Sequence, residues 1–276
     1  RIITCSSHTE DVMSDSDSIL NDAMNRPPSR FCLDLIKYQK GHAELVVTKY
    51  VPYVKLFEDN AESLFQYMHH LNYSEKEGWQ QYQTVQILFL IRVPKTLFSA
   101  FQQILNGDYY ESLATCRIAY ESLLRILFIE KYPTDWLATL LPEKGKRKFK
   151  ASRFIVEDLK VADEDRTYTF LSLPIHSHKQ SVLADIKKCS QEKGLLLDPG
   201  YEFSEREMSI AFNNLLAILY MASRLFSAFF GKYIKTSESG YPTALETYLK
   251  AMPNRFSEYP TFIDRVLVGS KQSSTG

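Results

Sequence analysis

The amino-acid sequence predicts an all-α protein, a single-domain helical bundle in which short peripheral helices pack around long central helices. The chain of 276 residues contains 10 Gly and 11 Pro but 17 Tyr and 17 Phe, so it has few of the turn signals that an all-β chain needs. Apolar residues recur instead at helical spacing over several long segments. A hydrophobic content of 45% is typical of a soluble protein that buries a substantial core.

Composition divides the chain into three regions. Residues 1–30 are polar and end in Arg-Pro-Pro-Ser, a composition that cannot bury enough apolar surface to become ordered. We therefore expect a disordered leader there. Residues 31–268 form the predicted helical domain, which has no internal repeat and no long linker, and residues 269–276 form a flexible tail.

Proline and glycine mark the ends of the first helices. Pro52 breaks the chain between the first two, and we expect Pro94 to kink or split the third. Gly107 suits the left-handed position that follows a helix, and Asp108 suits the N-cap of the next helix. These signals predict a helical hairpin of two long arms joined by a short turn.

The later helices carry their own boundary signals. Thr134 is expected to cap a short helix, and Pro174 to end another. Ser204 and Glu207 fit the capping box of the longest helix. Beyond residue 250 we expect a short connector that contains prolines and then a polar tail. The predicted helices span 31–50, 54–71, 75–105, 108–132, 135–141, 154–161, 168–173, 205–235 and 243–250.

Charge and cysteine usage indicate a cytoplasmic protein. The 33 basic and 33 acidic residues balance, so no global field attracts nucleic acid or an anionic membrane. The four cysteines show no CxxC spacing, as expected of reduced thiols in a cytosolic protein. The N-terminal residues lack the apolar core of a signal peptide. The most apolar segment, 210–234, contains Asn213, Asn214 and Arg224. We therefore expect a central bundle helix rather than a membrane anchor.

Arg117 and Glu121 lie on the face of the 108–132 helix that should enter the core. At about 100° per residue, the apolar residues of this helix, Tyr120 among them, fall close to Arg117. Buried charges are costly unless they are paired, and a guanidinium has five donors, so we expect a further partner from another helix. Arg125 follows Glu121 by four residues, so the three charged side chains lie at i, i+4, i+8 spacing along the helix. The pair of Arg117 and Glu121 is either a structural lock or part of a functional site.

His176 and His178 form a second candidate site. An extended segment would place both rings on one side, which permits a metal site. However, no HExxH or ExxH motif and no cysteine at ligand spacing accompanies them, so we predict neither a metal nor a cofactor. A single histidine that acts as acid, base or hydrogen-bond donor, and a solvated capping histidine, are the two alternatives.

Two further polar groups belong to the candidate site. Asn213 and Arg224 share one strip of the longest helix. They either form hydrogen bonds with other polar groups in the core or line the same cavity as Arg117 and His176. A strongly basic stretch is either a solvated loop or a segment that binds phosphates. It contains Lys146, Arg147, Lys148 and Lys150.

Two motifs, R-x-x-Y-E-x-x-x-R and Y-x-x-L-S-x-x-x-H, follow the predicted hairpin turn in this order. Their residues are Arg117, Tyr120, Glu121 and Arg125, then Tyr168, Leu171, Ser172 and His176. This pattern resembles a group of bacterial helical-bundle proteins and, more distantly, the HEPN superfamily. The resemblance implies a helical bundle, often dimeric, with metal-independent ribonuclease or toxin activity. The chain departs from the superfamily's pattern, in which a His follows an Arg by four to six residues. Arg166 precedes His176 by more than that, and the spacing from Arg1 to His8 fits only within the predicted disordered leader.

Two functional hypotheses follow. In the first, the protein is an intracellular, noncatalytic interaction module that forms a homodimer through an apolar helix face, and Arg117, Glu121 and His176 form a buried polar cluster. In the second, it acts on RNA: His176 is the acid or base, Arg117 binds the scissile phosphate beside Glu121, and the basic stretch steers RNA. In both, the supporting residues are Tyr120, Arg125, Tyr168, Ser172, Asn213 and Arg224.

Overall fold

The computed structural model describes residues 30–71, 80–140, 152–159, 166–172, 203–233, 242–252 and 255–272. These residues form nine α-helices and, within the described ranges, no strand, so the predicted all-α fold is confirmed. The helices are α1 (Arg30–Lys49), α2 (Val51–His69), α3 (Gln81–Asn106), α4 (Tyr109–Lys131), α5 (Ser152–Asp158), α6 (Arg166–Ser172), α7 (Glu205–Phe230), α8 (Thr243–Ala251) and α9 (Arg255–Gln272), with 3₁₀ helices at Pro133–Thr139 and Gly231–Tyr233.

Helix α7 lies at the centre of the bundle. It packs against α2, α3, α4, α8 and α9, and large side chains such as Phe212, Tyr220 and Phe226 are almost completely buried. A helix that is mostly apolar and buried on nearly all sides is stable in this position because each fully buried large apolar side chain contributes about 1.5–3 kcal/mol. The side chain of Ser204 accepts a hydrogen bond from the backbone N–H of Glu207 at 3.4 Å, which confirms the predicted N-cap.

The antiparallel pair α3 and α4 forms the most extensive helix contact in the described chain. Gly107 has φ of 90° and ends α3 in the left-handed region, as predicted. Asp108 occupies the predicted N-cap position of α4, but its side chain makes no capping hydrogen bond to the helix. With φ of −86° and ψ of 62°, the backbone of Asp108 lies outside the extended region that an N-cap residue usually adopts.

The chain breaks between α1 and α2 next to Pro52, as predicted, whereas Pro94 and Pro260 lie inside helices. Pro94 does not split α3, and its side chain is buried; the alternative of a kink stays a prediction. Pro52 lies in the first turn of α2, where the missing N–H costs nothing. Pro260 lies within α9, a helix that was predicted as connector and tail. Its apolar side chains, including Ile263 and Leu267, are buried against α4, α7 and α8, and this packing offsets the lost hydrogen bond.

Several helix ends differ from the prediction. The segment after α4 is a 3₁₀ helix that begins at Pro133, so Thr134 lies inside it rather than at its N-cap. Helix α7 ends at Phe230 instead of continuing to residue 235, and α9 extends to Gln272, past the predicted domain end. Boundary errors of this size are usual because end residues make few tertiary contacts.

Two helices in the described chain, Gln81–Asn106 and the longer segment Glu205–Tyr233, are long and apolar enough to cross a membrane. Their similarity to membrane-spanning helices rests on length and composition alone, and a buried helix of a bundle has the same two properties. In the structure, 78% of the most apolar window of the second segment is buried against other helices, compared with 50% for the first. The second segment is thus the bundle's central helix, as the sequence predicted.

Candidate functional site

Arg117 of α4 joins two helices through a polar cluster. Its Nε donates a hydrogen bond to Oε1 of Glu121 at 2.9 Å, and its Nη2 donates to the hydroxyl of Tyr168 on α6 at 3.0 Å. The side chains of Arg117 and Glu121 are 14% and 27% exposed. The predicted withdrawal of this pair from water and the predicted partner on another helix are therefore confirmed.

The guanidinium of Arg117 also stacks beside the ring of Tyr168. Its central carbon lies 5.0 Å from the ring centroid, so a cation–π attraction adds to the hydrogen bond. The Nη1 nitrogen is buried and, among the residues that the structure describes, has no hydrogen-bond acceptor. Because this nitrogen is buried, an acceptor from a ligand reaches it only if neighbouring side chains move.

Arg125 lies one helical turn beyond Glu121 and is buried more deeply than Arg117. Its Nη1 donates to the backbone oxygen of Thr139 at 3.2 Å. Burial lowers the pKa of Arg125, and the nearby carboxylate of Glu121 acts in the opposite direction. Arg125 thus fastens the end of the first 3₁₀ helix to α4.

The other residues predicted to support the site have separate partners. Asn213 accepts a hydrogen bond from the Tyr248 hydroxyl at 2.7 Å, and Arg224 forms an ion pair with Asp264 of α9. The hypothesis that both line one cavity with Arg117 is not supported by any contact among the described residues. Their common strip on α7 is misleading, because they lie roughly 16 Å apart along the helix axis.

Two supporting residues have local roles. Tyr120 is fully buried in the core, and the hydroxyl of Ser172 donates to the backbone oxygen of Tyr168 within α6 at 2.6 Å. The remaining candidates lie outside the described residues, so their predicted roles stay predictions. They are His176, His178, Lys146, Arg147, Lys148 and Lys150.

A buried histidine that sequence reasoning missed connects α1 to the hairpin turn. Nδ1 of His42 lies 2.7 Å from the backbone oxygen of Leu105, and Nε2 lies 2.7 Å from the hydroxyl of Tyr109. When Nδ1–H donates to the carbonyl, Nε2 of the neutral ring accepts from the hydroxyl. Burial raises the pKa of Tyr109 well above its ordinary value, so this hydroxyl keeps its proton. The only sequence signal was a polar residue on the inward face of α1.

Helix α1 exposes several large apolar side chains. Five of them are between 37% and 64% exposed: Leu33, Ile36, Tyr38, Leu45 and Val47. At about 100° per residue, Leu33, Ile36 and Val47 share the outward side of the helix, whereas Tyr38 and Leu45 lie on a different side, nearer the buried residues. Single exposed apolar side chains are normal on protein surfaces, so the three that share one side are the candidate binding surface.

Comparison of the chain with protein-family models, curated proteins and solved structures gives no significant match. Among the described residues, His, Cys, Asp and Glu side chains nowhere gather in groups of three or more that could hold a metal ion. The Arg117 cluster and the side of α1 that carries Leu33, Ile36 and Val47 are the two features of the described chain that we relate to function.

Proposed function

We propose that this protein is a noncatalytic helical interaction module that binds another protein helix through the outward side of α1. The observation that carries the proposal is the exposure of three large apolar side chains on one side of this helix, Leu33, Ile36 and Val47, which are 44%, 58% and 45% exposed. Their helical spacing places them along one edge. An amphipathic helix with such an edge is suited to pack against a second helix.

The way in which α1 is held supports this role. The inward face of α1 is anchored by His42 and by Val46, which is fully buried. The anchored face and the apolar edge are different sides of the same helix, so the edge stays outside the bundle's own core. When a partner covers apolar surface that is exposed to water in this way, the free energy of association falls by about 25 cal/mol for each Å² buried.

The Arg117 cluster fits a structural role in such a module. Two of the three guanidinium nitrogens already bind Glu121 and Tyr168, and the third is buried. Arg117 thus ties α4 to α6 and fixes the position of one helix relative to the other. A group that binds a scissile phosphate needs accessible donors, and this arrangement leaves few.

Photocrosslinking in cells that express the full chain tests the proposal. A benzoylphenylalanine placed at Ile36, which is 58% exposed on α1, is compared with one placed at Leu88, which is 59% exposed on α3. We expect a discrete crosslinked protein species from position 36 alone. Adding Val47→Glu to the position-36 variant should abolish it, because a charge then occupies the same edge.

Crosslinking from neither position, or equal crosslinking from both, would show that α1 is not a specific binding surface. A product that survives Val47→Glu would show that the contact does not use the apolar edge.

A further inference from the structure

Five residues of α1 form a continuous stripe with the spacing of a coiled-coil seam. The steps between them alternate between three and four residues, the pattern that keeps side chains in line along a helix. Two members are polar or small and three are large and apolar with 44% to 58% of their surface exposed. We call these residues the α1 stripe: Leu33, Ile36, Lys40, Ala43 and Val47.

From this stripe, and on the basis of the function proposed above, we infer that the partner of α1 is α1 of a second copy of this chain in antiparallel orientation. A two-fold interface requires a surface that complements itself. In an antiparallel pair centred between Gly41 and His42, Ile36 of each copy faces Val47 of the other. Lys40 likewise faces Ala43, where its aliphatic stem covers the small side chain and its ammonium group reaches water.

Charges beside the α1 stripe favour the same arrangement. Lys37 and Glu44 lie seven residues apart along one edge of the stripe, and both are exposed. In the part of the chain that the structure describes, neither has an ion-pair partner. Antiparallel pairing brings Lys37 of each copy next to Glu44 of the other, which gives two intermolecular ion pairs.

A parallel pair is disfavoured by the same residues. It would place Lys40 of one copy directly against Lys40 of the other within the seam, and like charges in contact oppose association. The orientation therefore follows from the positions of Lys37, Lys40 and Glu44 rather than from the apolar residues alone.

The size of the interface predicts a reversible dimer. Helix α1 has 20 residues and is thus about 30 Å long. One helix from each copy buries less surface than the roughly 1,200–2,000 Å² of a standard stable interface. We therefore expect dimerisation that depends on protein concentration.

Charge exchange tests the register directly. Sedimentation equilibrium of the purified full chain is measured for the wild type, for Lys37→Glu and for Glu44→Lys. Each single variant places two like-charged pairs in the interface, so we expect dimerisation to weaken roughly tenfold or more. An equimolar mixture of the two variants restores both opposite-charge pairs, so we expect it to dimerise as the wild type does.

A matched variant controls for charge itself. Lys40→Glu changes the same charge on the same helix, but places Glu beside Ala43, where no acidic side chain opposes it, so we expect a much smaller effect than that of Lys37→Glu. A mixture that stays monomeric overturns the antiparallel register. A wild-type chain that is monomeric at every concentration overturns the self-pairing, whereas crosslinking of position 36 to a different protein would still support the interaction module.

Discussion

The side chain of Arg117 shows how much one residue can connect within this bundle. It lies on α4, bonds to Glu121 on the same helix and reaches Tyr168 on α6. Its removal leaves a carboxylate and a hydroxyl without this partner in a region largely withdrawn from water. The cost of such a change is dominated by the groups left behind rather than by the bond that is lost.

Arg117→Ala should therefore lower the free energy of unfolding by about 1–3 kcal/mol. Arg92→Ala is the matched control, because Arg92 is an exposed arginine on α3, and surface substitutions of this kind usually change stability by less than about 0.5 kcal/mol. Urea unfolding of the three proteins makes the comparison. If Arg117→Ala and Arg92→Ala unfold alike, Arg117 does not lock α4 to α6.

The thiol of Cys116 gives a pH-dependent prediction at the same scale. Complete burial raises the pKa of Cys116 to about 12, although the nearby Ser112 side chain acts in the opposite direction. In the unfolded chain the thiol ionises near pH 8.5. Above that pH the unfolded state loses a proton that the folded state keeps, so stability is complete below about pH 8.5 and falls as pH rises toward 12.

The slope of this loss should approach about 1.4 kcal/mol per pH unit. Urea unfolding between about pH 8.5 and 10 compares the wild type with Cys116→Ala, because the ionisation of tyrosines near pH 10 affects both proteins alike and cancels in the difference between their slopes. We expect the alanine variant to be less stable at pH 8 but to lose less stability as the pH increases. Parallel slopes for the two proteins would mean that Cys116 is not buried as the structure shows.

At the scale of the elements, the turn between α3 and α4 depends on its contact with α1. Gly107 ends α3, and the His42 ring lies directly beside it while binding the Leu105 oxygen and the Tyr109 hydroxyl. One side chain from α1 thus contacts the turn, the Leu105 carbonyl near the end of α3 and the first residue of α4. This arrangement positions α1 on the bundle with its apolar stripe outward.

Two glycine substitutions should have opposite effects. An added Cβ at Gly107 would lie 3.3 Å from Cδ2 of His42, at a backbone φ of 90° that L-residues rarely adopt. We expect Gly107→Ala to destabilise the protein by about 1 kcal/mol or more. A Cβ at Gly41 meets nothing within 4 Å, so Gly41→Ala should stabilise α1 by about 0.5–1 kcal/mol.

Thermal unfolding of both variants beside the wild type measures this difference. Equal shifts in one direction would contradict it, because they would show that the two positions have similar surroundings.

For the whole molecule, the described structure distributes its polar residues over separate contacts instead of one cleft. Arg117 forms a hydrogen bond with a residue of α6, Asn213 forms one with a residue of α8, and Arg224 forms an ion pair with a residue of α9. Each contact joins a long helix to a shorter one. Such a distribution is suited to hold peripheral helices in register around α7, which is the structural role that the proposed interaction module requires of these residues.

The proposed noncatalytic function predicts that the protein leaves RNA intact. Purified full-length chain incubated with labelled single-stranded RNA should produce no more fragments than buffer does. His176→Ala and the matched control His70→Ala, which changes an exposed histidine at the end of α2, are assayed beside the wild type. Cleavage that disappears in His176→Ala and persists in His70→Ala would contradict the noncatalytic function and favour the RNA-acting hypothesis.

Helical periodicity was sufficient to identify the long helices, because side-chain burial repeats with the period of the backbone. It also placed Arg117 and Glu121 on an inward face. Local signals failed at Pro260, where tertiary packing outweighs a lost hydrogen bond, and α3 continues through Pro94 without the split that was one of its two predicted outcomes. Asp108 stands at the N-cap that its residue type predicts, but its backbone conformation leaves the side chain without a capping hydrogen bond.

The sequence by itself determined the fold class, the central position of α7, the left-handed turn at Gly107 and the need of Arg117 for a partner. These follow from composition, periodicity and the hydrogen-bonding capacity of single residues. Only the tertiary structure decided that the partner is Tyr168, that His42 holds the hairpin turn and that the apolar edge of α1 remains exposed. Contacts between residues more than 50 positions apart depend on how helices are arranged in space, and helical spacing within one segment carries no information about that.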